Sequence, residues 1–401
     1  MVLLPEKIAD KFKGKDYEIL VGIPSYNNSS TISRVVRVVD EGIKEYFNGK
    51  GLIVNSDGNS NDGTREVFMS VETLAEKVSF VYEGLPGKGS AMGSIMKLAN
   101  ILEVPVVVFV DSDLRSIEPW WIDRLTRPIV EKNAVYVTPY YVRHKYDGTI
   151  TNNICYPIVS AIFGKKIRQP IGGDFGVSLT LIKNYLSQSE DVWKTDVAKF
   201  GIDIWMTTTA IGEKVGDIYQ ASLGAKIHDV KDPGKHLGPM FSQVVGTLFR
   251  QLEKYEKYWV ENDRIDPVPV FGDAPEVEVE PLTVDIENLK NSAQKGIENN
   301  YDFLHEILEK ELVNVVSQTR ETGVIELEKW VEIVYKFAAE YRKPQLREKI
   351  IKSLVPFYFA RVADFVEKTF DKPDEYAENL IEKQIETFRS KKDLLMKFWR
   401  K

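Results

Sequence analysis

Val104-Pro105-Val106-Val107-Val108-Phe109-Val110-Asp111-Ser112-Asp113 is a short apolar run that ends in two carboxylates, and its reading decides the fold. A run of this length, rich in β-branched residues, reads as a strand buried on both faces of a sheet. The carboxylates then emerge at the carboxyl end of that strand. Oxygens so placed suit Mg²⁺ or Mn²⁺ holding a diphosphate, because these hard cations take one or two protein carboxylates and keep positions for substrate phosphate. Taken alone, such a triplet is more often only a wet strand end. Its neighbours change that reading.

Upstream, Tyr17 to Pro24 reads as a first buried strand, and Ser25-Tyr26-Asn27-Asn28-Ser29-Ser30-Thr31 as a polar turn before a helix that starts near Ile32. A second strand, Gly51 to Ser56, ends in Asp57-Gly58-Asn59-Ser60-Asn61-Asp62-Gly63-Thr64. A third, Val78 to Glu83, leads into Pro86-Gly87-Lys88-Gly89, and the fourth carries the carboxylate triplet. Strand and helix alternate throughout, which predicts an α/β fold with a mostly parallel sheet and helices on both faces. Ligands of such sheets bind beyond the carboxyl ends of the strands, where all four polar loops fall.

In this order the loops resemble the nucleotide-sugar half of a GT-A (Rossmann-like) glycosyltransferase over residues 17 to 250. The resemblance makes Ile23-Pro24-Ser25-Tyr26-Asn27 the first donor loop, with Pro24, Tyr26 and Asn28 at the donor, and Asp57 a partner for the imide N–H of uracil or guanine. It places Gly87, Lys88 and Gly89 near base and pyrophosphate, and Asp111 and Ser112 at the donor with Asp111 and Asp113 as metal ligands. The chemistry agrees: glycine lets backbone approach an anion, and lysine is a point charge for phosphate.

Residues beyond the triplet resemble mannosylglycerate synthase and its relatives, the glucosylglycerate and glucosyl-3-phosphoglycerate synthases. These residues are Thr138 to Arg143, Asp147 to Asn152, Gln169 to Gly176, Gly201 to Asp203 and Ile227 to Pro233. The resemblance implies a retaining hexosyltransferase moving glucose or mannose from UDP-glucose or GDP-mannose to a small anionic acceptor, yielding a compatible solute. It implies His228 as third metal ligand, Gly172 and Gly173 beside the transferred sugar, Asp174 accepting from its hydroxyls, and Asp203 near the reacting centre. Asp203 also sits at a helix start, where the macrodipole favours a carboxylate regardless of function. Neither carboxylate is assigned as a covalent nucleophile.

Arg143 can grip a carboxylate through two parallel hydrogen bonds, and the resemblance sets Thr151, with Thr149 and Asn152 beside it, at the same acceptor. Relatives that use 3-phosphoglycerate carry an arginine where this chain has Thr149. The expected acceptor is therefore D-glycerate, with 3-phosphoglycerate as the alternative should Lys165, Lys166 or Arg168 bind the phosphate. Replacing Thr149 by arginine would then be expected to improve 3-phosphoglycerate use.

The formal net charge of −7 argues against a nucleic-acid or anionic-membrane surface, and a single cysteine rules out an internal disulfide. No apolar run approaches the roughly 20 residues needed to span a bilayer, and the start shows no signal-peptide pattern. The expected setting is cytoplasmic, with a homodimer left open. The expected domains are a catalytic domain over 1–262, a proline-rich linker over 263–282, and an α-helical domain over 283–401, where apolar residues recur at helical spacing from Leu304 to Phe398. Trp330, Tyr358 and Trp399 read as core rather than as a sugar platform. Two other readings compete: a nucleotide-sugar-binding scaffold without activity, and a transferase acting on a glycan or another small alcohol. The retained Asp111, Asp113 and His228 speak against the scaffold.

Overall fold

In the computed structural model, residues 4–227, 233–273, 277 and 279–401 are described. His228 lies outside them. The strands are β1 (Ile19–Ser25), β2 (Gly51–Asp57), β3 (Glu76–Val81), β4 (Val106–Phe109), β5 (Ala134–Val142), β6 (Lys165–Lys166), β7 (Phe175–Ser178), β8 (Asp217–Ala225), β9 (Asp266–Pro267) and β10 (Val270–Phe271). The chain divides into two compact units, one of residues 1–142, 168–231 and 268–279, the other of residues 143–167, 232–267 and 280–401.

The first unit holds an eight-stranded sheet in the order β10-β8-β5-β7-β4-β1-β2-β3. The chain steps outward from β1 through β2 to β3, then returns to the other side of β1 with β4. That reversal opens a crevice at the carboxyl ends of β1 and β4, the usual ligand position in open α/β sheets. Period-two alternation sends Ile19, Val21 and Ile23 to one face, among apolar residues of the helices Ile32–Phe47 and Trp120–Lys132. Leu20 goes to the other face, with Met92, Ile95 and Leu98 of the helix Lys88–Ile101. Gly22 on that face has no room for more, since a Cβ there would lie 2.7 Å from Ile95.

β7 alone among these strands runs antiparallel, wedged between β4 and β5. Its register sets Phe175 opposite Phe109, so Asp174, entering β7, meets Asp111, leaving β4. The turn at 172–174 and the loop at 86–89, far apart in sequence, thus serve one end of one sheet. Val270–Phe271, inside the stretch read as a linker, adds a strand to β8.

The second unit is helical, including Ile286–Asn299, Lys310–Thr322, Leu327–Glu340, Arg347–Thr369, Asp374–Ser390 and Lys392–Trp399. Trp330, Tyr358 and Trp399 are buried in it. It also contains residues 143–167, whose buried π-helical turn Thr151–Cys155 runs into the helix Tyr156–Ala161, and the pair β6–β9.

Candidate active site

Beyond the ends of β4, β7 and β8, two ammoniums meet three carboxylates. Lys226 Nζ donates to Asp111 Oδ2 at 2.8 Å, to Asp174 Oδ2 at 2.9 Å and to the Gly172 carbonyl at 2.8 Å. Lys88 Nζ lies 2.9 Å from Asp111 Oδ1 and 3.4 Å from Asp203 Oδ2. Burial opposes ionisation of Asp111, but the charges of Lys226 and Lys88 outweigh it and hold its carboxyl well below the usual range. Burial dominates at Asp174 and at Asp203 and raises both carboxyls. The same carboxylates keep Lys88 and Lys226 protonated against their own burial.

Asp174 is fully buried. Its Oδ1 accepts from the Asp111 backbone N–H, and its Oδ2 accepts from Tyr141 as well as Lys226. A carboxylate so enclosed holds the triplet in place and presents no face to a sugar. Asp203, in the first turn of the helix Ile202–Glu213, differs: its Oδ1 is buried with no hydrogen-bond partner. A buried carboxylate oxygen left unmet costs free energy unless a ligand meets it. Asp113 is partly exposed on the loop after β4.

The loops after β1 and β2, expected at the donor, are stapled together. Asn27 N donates to Ser60 Oγ at 2.8 Å, Asn28 N to Thr64 Oγ1 at 2.8 Å and Ser29 N to Asp62 Oδ2 at 3.0 Å. Asn28 Oδ1 accepts from Ser112 Oγ at 2.9 Å, tying both to the triplet. Pro24 is buried within β1, whereas the Tyr26 ring is 64% exposed and packs over Gly58, where a Cβ would lie 3.0 Å from it. Asp57 is turned inward: it is fully buried and accepts from Ser25 Oγ at 2.6 Å, Ser60 Oγ at 2.7 Å and Ser60 N at 2.7 Å. Gly87 and Gly89 lie against the backbone of residues 197–199; a Cβ on Gly89 would come within 1.8 Å of the Val197 carbonyl. Gly89 N–H donates to the Lys199 carbonyl at 3.2 Å. Close approach is indeed what these glycines provide, but toward protein backbone.

The four expected acceptor residues lie in the second unit. Arg143 Nε donates to Asp147 Oδ2 at 2.7 Å. Gly148, at φ +67°, brings the chain tightly past this pair: a Cβ there would lie 3.1 Å from Arg143 Nη1 and 3.7 Å from Thr151 Cβ. Arg143 and Thr151 are therefore brought together around Gly148. Thr149, Thr151 and Asn152 are buried. The turn is held by Tyr358 Oη on Thr149 Oγ1 at 2.6 Å, Gln384 Nε2 on the Asn152 carbonyl at 2.9 Å and Trp330 Nε1 on the Asn153 carbonyl at 2.9 Å. Lys165 pairs with Asp266 at 2.9 Å and Lys166 with Glu382 at 2.8 Å.

Sequence reading missed Lys226. The available signal was a lone lysine closing the small-residue strand Ala221 to Ala225, where the next polar feature is His228. It also gave no role to Tyr141 within Thr138 to Arg143, none beyond the core to Tyr358, and none to Gln384.

The sheet reversal, the polar loops at the strand ends beside it and the charged cluster among them form the kind of ligand site that open α/β sheets carry. Residues 20–183 match the family model described as Glycosyl transferase family 2. It is 24% identical over 250 residues to the glucosyl-3-phosphoglycerate synthase of Mycolicibacterium paratuberculosis, covering 57% of this chain and 71% of that protein. To the enzyme of the same name from Mycobacterium tuberculosis it is 23% identical over 250 residues, covering 57% and 72%. Among solved structures, that synthase in complex with Mn²⁺, uridine diphosphate and phosphoglyceric acid is similar at a TM-score of 0.47 and 23% identity, over 61% of this chain and 80% of the other. With Mn²⁺, UDP-glucose and phosphoglyceric acid the TM-score is 0.48 at 22% identity, over 61% and 82%. Among the described residues no helix is long and apolar enough to cross a membrane.

Proposed function

We propose that the protein is a retaining hexosyltransferase that moves glucose or mannose from UDP-glucose or GDP-mannose to D-glycerate, in the presence of Mg²⁺ or Mn²⁺. The observation that carries this reading is the buried cluster in which carboxylates outnumber ammoniums and Asp203 Oδ1 has no partner. Among the described residues, Lys88 Nζ has two partners, which leaves one N–H for an anionic substrate such as a diphosphate. Asp203 Oδ1 is placed to accept from a sugar or acceptor hydroxyl. Asp174 and Asp57 act from behind, fixing the triplet and the second donor loop.

The cation set is consistent in chemistry. The carboxylates of Asp111 and Asp113, on the loop after β4, would hold the cation with His228 as the further ligand, the ammoniums on Asp111 giving way to it. Among the described residues no three His, Cys, Asp or Glu side chains gather at metal-holding spacing; Mg²⁺ ordinarily needs fewer, completing its shell with phosphate and water. Such a cation would neutralise charge on the departing diphosphate.

For the acceptor, Arg143 would hold the carboxylate and Thr151 a hydroxyl. The names of the relatives favour 3-phosphoglycerate as the second reading. Against it, Lys165 and Lys166 are already paired and Thr149 is closed off by Tyr358. Initial rates with UDP-glucose and GDP-mannose, each against D-glycerate, 3-phosphoglycerate and glycerol, test the reading. D-glycerate should be used fastest and glycerol slowest; a preference for 3-phosphoglycerate overturns the acceptor assignment. Loss of turnover in EDTA and in Asp113→Ala or His228→Ala tests the cation, and full activity in EDTA removes it.

A further inference from the structure

Lys226 is the most enclosed cation of the cluster, with its side chain 5% exposed. It joins three separate parts of the chain: the end of β8, the triplet after β4 and the turn before β7. Its three N–H groups meet three oxygens at 2.8 to 2.9 Å, which is the full donor capacity of an ammonium. The seat is shaped for it. Gly173, at φ +91°, has no space for a side chain, since a Cβ would fall 2.4 Å from Asp111 Oδ2 and 2.9 Å from Lys226 Nζ. The Tyr141 ring lies beneath, with Nζ 5.4 Å from its centroid. Lys88 approaches Asp111 through the other oxygen. Lys226 therefore fixes which way the Asp111 carboxylate turns, and Asp111 in turn fixes Lys88.

We propose that Lys226 is a positioning residue for sugar transfer: a built-in cation whose three-oxygen seat sets the Asp111 carboxylate and, through it, aims the Lys88 ammonium at the anionic leaving group. Without it, Asp111 and Asp174 repel one another across an empty seat, and Lys88 is free to swing toward either Asp111 or Asp203. Substrate would still bind through the donor loops, but the charge that stabilises the departing diphosphate would be misplaced. Such a defect appears in turnover rather than in binding.

The test uses the full chain. Lys226→Met keeps the bulk and removes the charge. Its rate of nucleoside diphosphate release from the sugar donor should fall about 100-fold in kcat, while KM for the donor and the calorimetric Kd for the free nucleoside diphosphate change less than about 3-fold. Lys226→Ala opens the seat, and methylammonium chloride should raise its kcat about 10-fold over an equal concentration of sodium chloride. A folded Lys226→Met with wild-type kcat overturns the proposal. So does a loss carried entirely by KM or by the folded fraction, without methylammonium rescue. Should both variants fail to fold, Asp174→Asn in the Lys226 background weakens one of the three seats; unchanged kcat there overturns the proposal, and a drop at constant KM supports it. The proposal rests on the sugar-transfer reading but not on which acceptor is used: diphosphate release is measured with whichever of D-glycerate, 3-phosphoglycerate or water takes the sugar fastest in the wild type, so a wrong acceptor assignment leaves the test intact.

Discussion

Thr149 and Tyr358 are joined hydroxyl to hydroxyl at 2.6 Å although 209 positions separate them, and both side chains are buried. Tyr358 is held further by stacking on Phe241, with ring centroids 4.4 Å apart. Burial raises its phenol well above the ordinary tyrosine value, so the pair stays a neutral hydrogen bond. The sequence expectation that arginine at 149 would improve 3-phosphoglycerate use meets this wall. Thr149 is 8% exposed and closed over by Tyr358, so a guanidinium there would have to displace packed side chains.

Thr149→Arg is therefore expected to destabilise the protein by about 3 kcal/mol or more, through overpacking and an unpaired buried charge, with no gain on 3-phosphoglycerate. Tyr358→Phe should cost only about 1 to 3 kcal/mol, for one buried hydroxyl left unmet. Thermal unfolding of both variants with an acceptor assay decides the matter. A Thr149→Arg protein of wild-type stability and improved 3-phosphoglycerate turnover would show that the position is open.

Asp62 supplies a pH prediction away from the charged cluster. Hydrogen bonds from Thr64 and Ser29 lower its carboxyl to about 2. A carboxyl depressed in the folded state adds stability that is present above its unfolded value near 3.9 and is lost as pH falls toward about 2. Because Asp62 is exposed, the contribution is small. Asp62→Asn should lower the thermal midpoint slightly at pH 6, with the difference shrinking below pH 4 and vanishing near pH 2. A difference that persists unchanged at pH 2 would mean that the staple does not depend on the ionised carboxyl.

Four strands of the first unit, β1 to β4, were legible because each is a short run rich in apolar residues ended by polar turn residues, and β1, β2 and β4 are buried throughout. Loop order alone then placed Asp57, Lys88, Asp111 and Ser112 at one end of the sheet. What the loops did not reveal was orientation. Asp57 and Asp174 looked outward in sequence and face inward in structure, because Ser25, Ser60, Tyr141 and Lys226 reach them from other strands. The reversed direction of β7 had no signal in Phe175 to Ser178, whose composition suits either direction. The hold of Trp330, Tyr358 and Gln384 on residues 149–153 was invisible, since each is an ordinary residue of a helical stripe whose partner lies 177 to 232 positions away.

Arg143 is the residue proposed to hold the acceptor carboxylate. Its side chain is 14% exposed and its Nε is spent on Asp147, which leaves the outer nitrogens for a carboxylate. An ammonium cannot span both Asp147 and a ligand. Arg143→Lys should raise KM for D-glycerate roughly 30-fold, about 2 kcal/mol, with a smaller effect on the donor KM. Asp147→Asn keeps the guanidinium and should raise the acceptor KM no more than about 3-fold. An unchanged acceptor KM in Arg143→Lys would exclude this residue from the site.

Gln384 gives the remaining prediction, because it links the turn proposed to hold the acceptor to a buried ion pair. Its Nε2 donates to the Asn152 carbonyl at 2.9 Å, and its Oε1 lies 3.4 Å from Arg361 Nε. Arg361 pairs with Asp364, and burial lowers its guanidinium from the ordinary value. Gln384 thus needs an acceptor toward Arg361 and a donor toward Asn152. Gln384→Glu keeps the first and loses the second; Gln384→Ala loses both. If the donor function holds the turn, both variants should raise the acceptor KM by a similar factor, about 5-fold to 10-fold, with the donor KM unchanged, since about 1 kcal/mol separates a held carbonyl from an unmet one. Stability should separate them: Gln384→Ala loses about 1 to 3 kcal/mol, and Gln384→Glu less, because its carboxylate meets the buried guanidinium. Asp364→Ala removes the counter-charge itself and should cost about 3 to 5 kcal/mol. Initial rates at varied acceptor, with denaturant unfolding of the same samples, give both readings. Equal acceptor KM in wild type and Gln384→Glu would mean that the Asn152 contact braces the fold without shaping the acceptor turn.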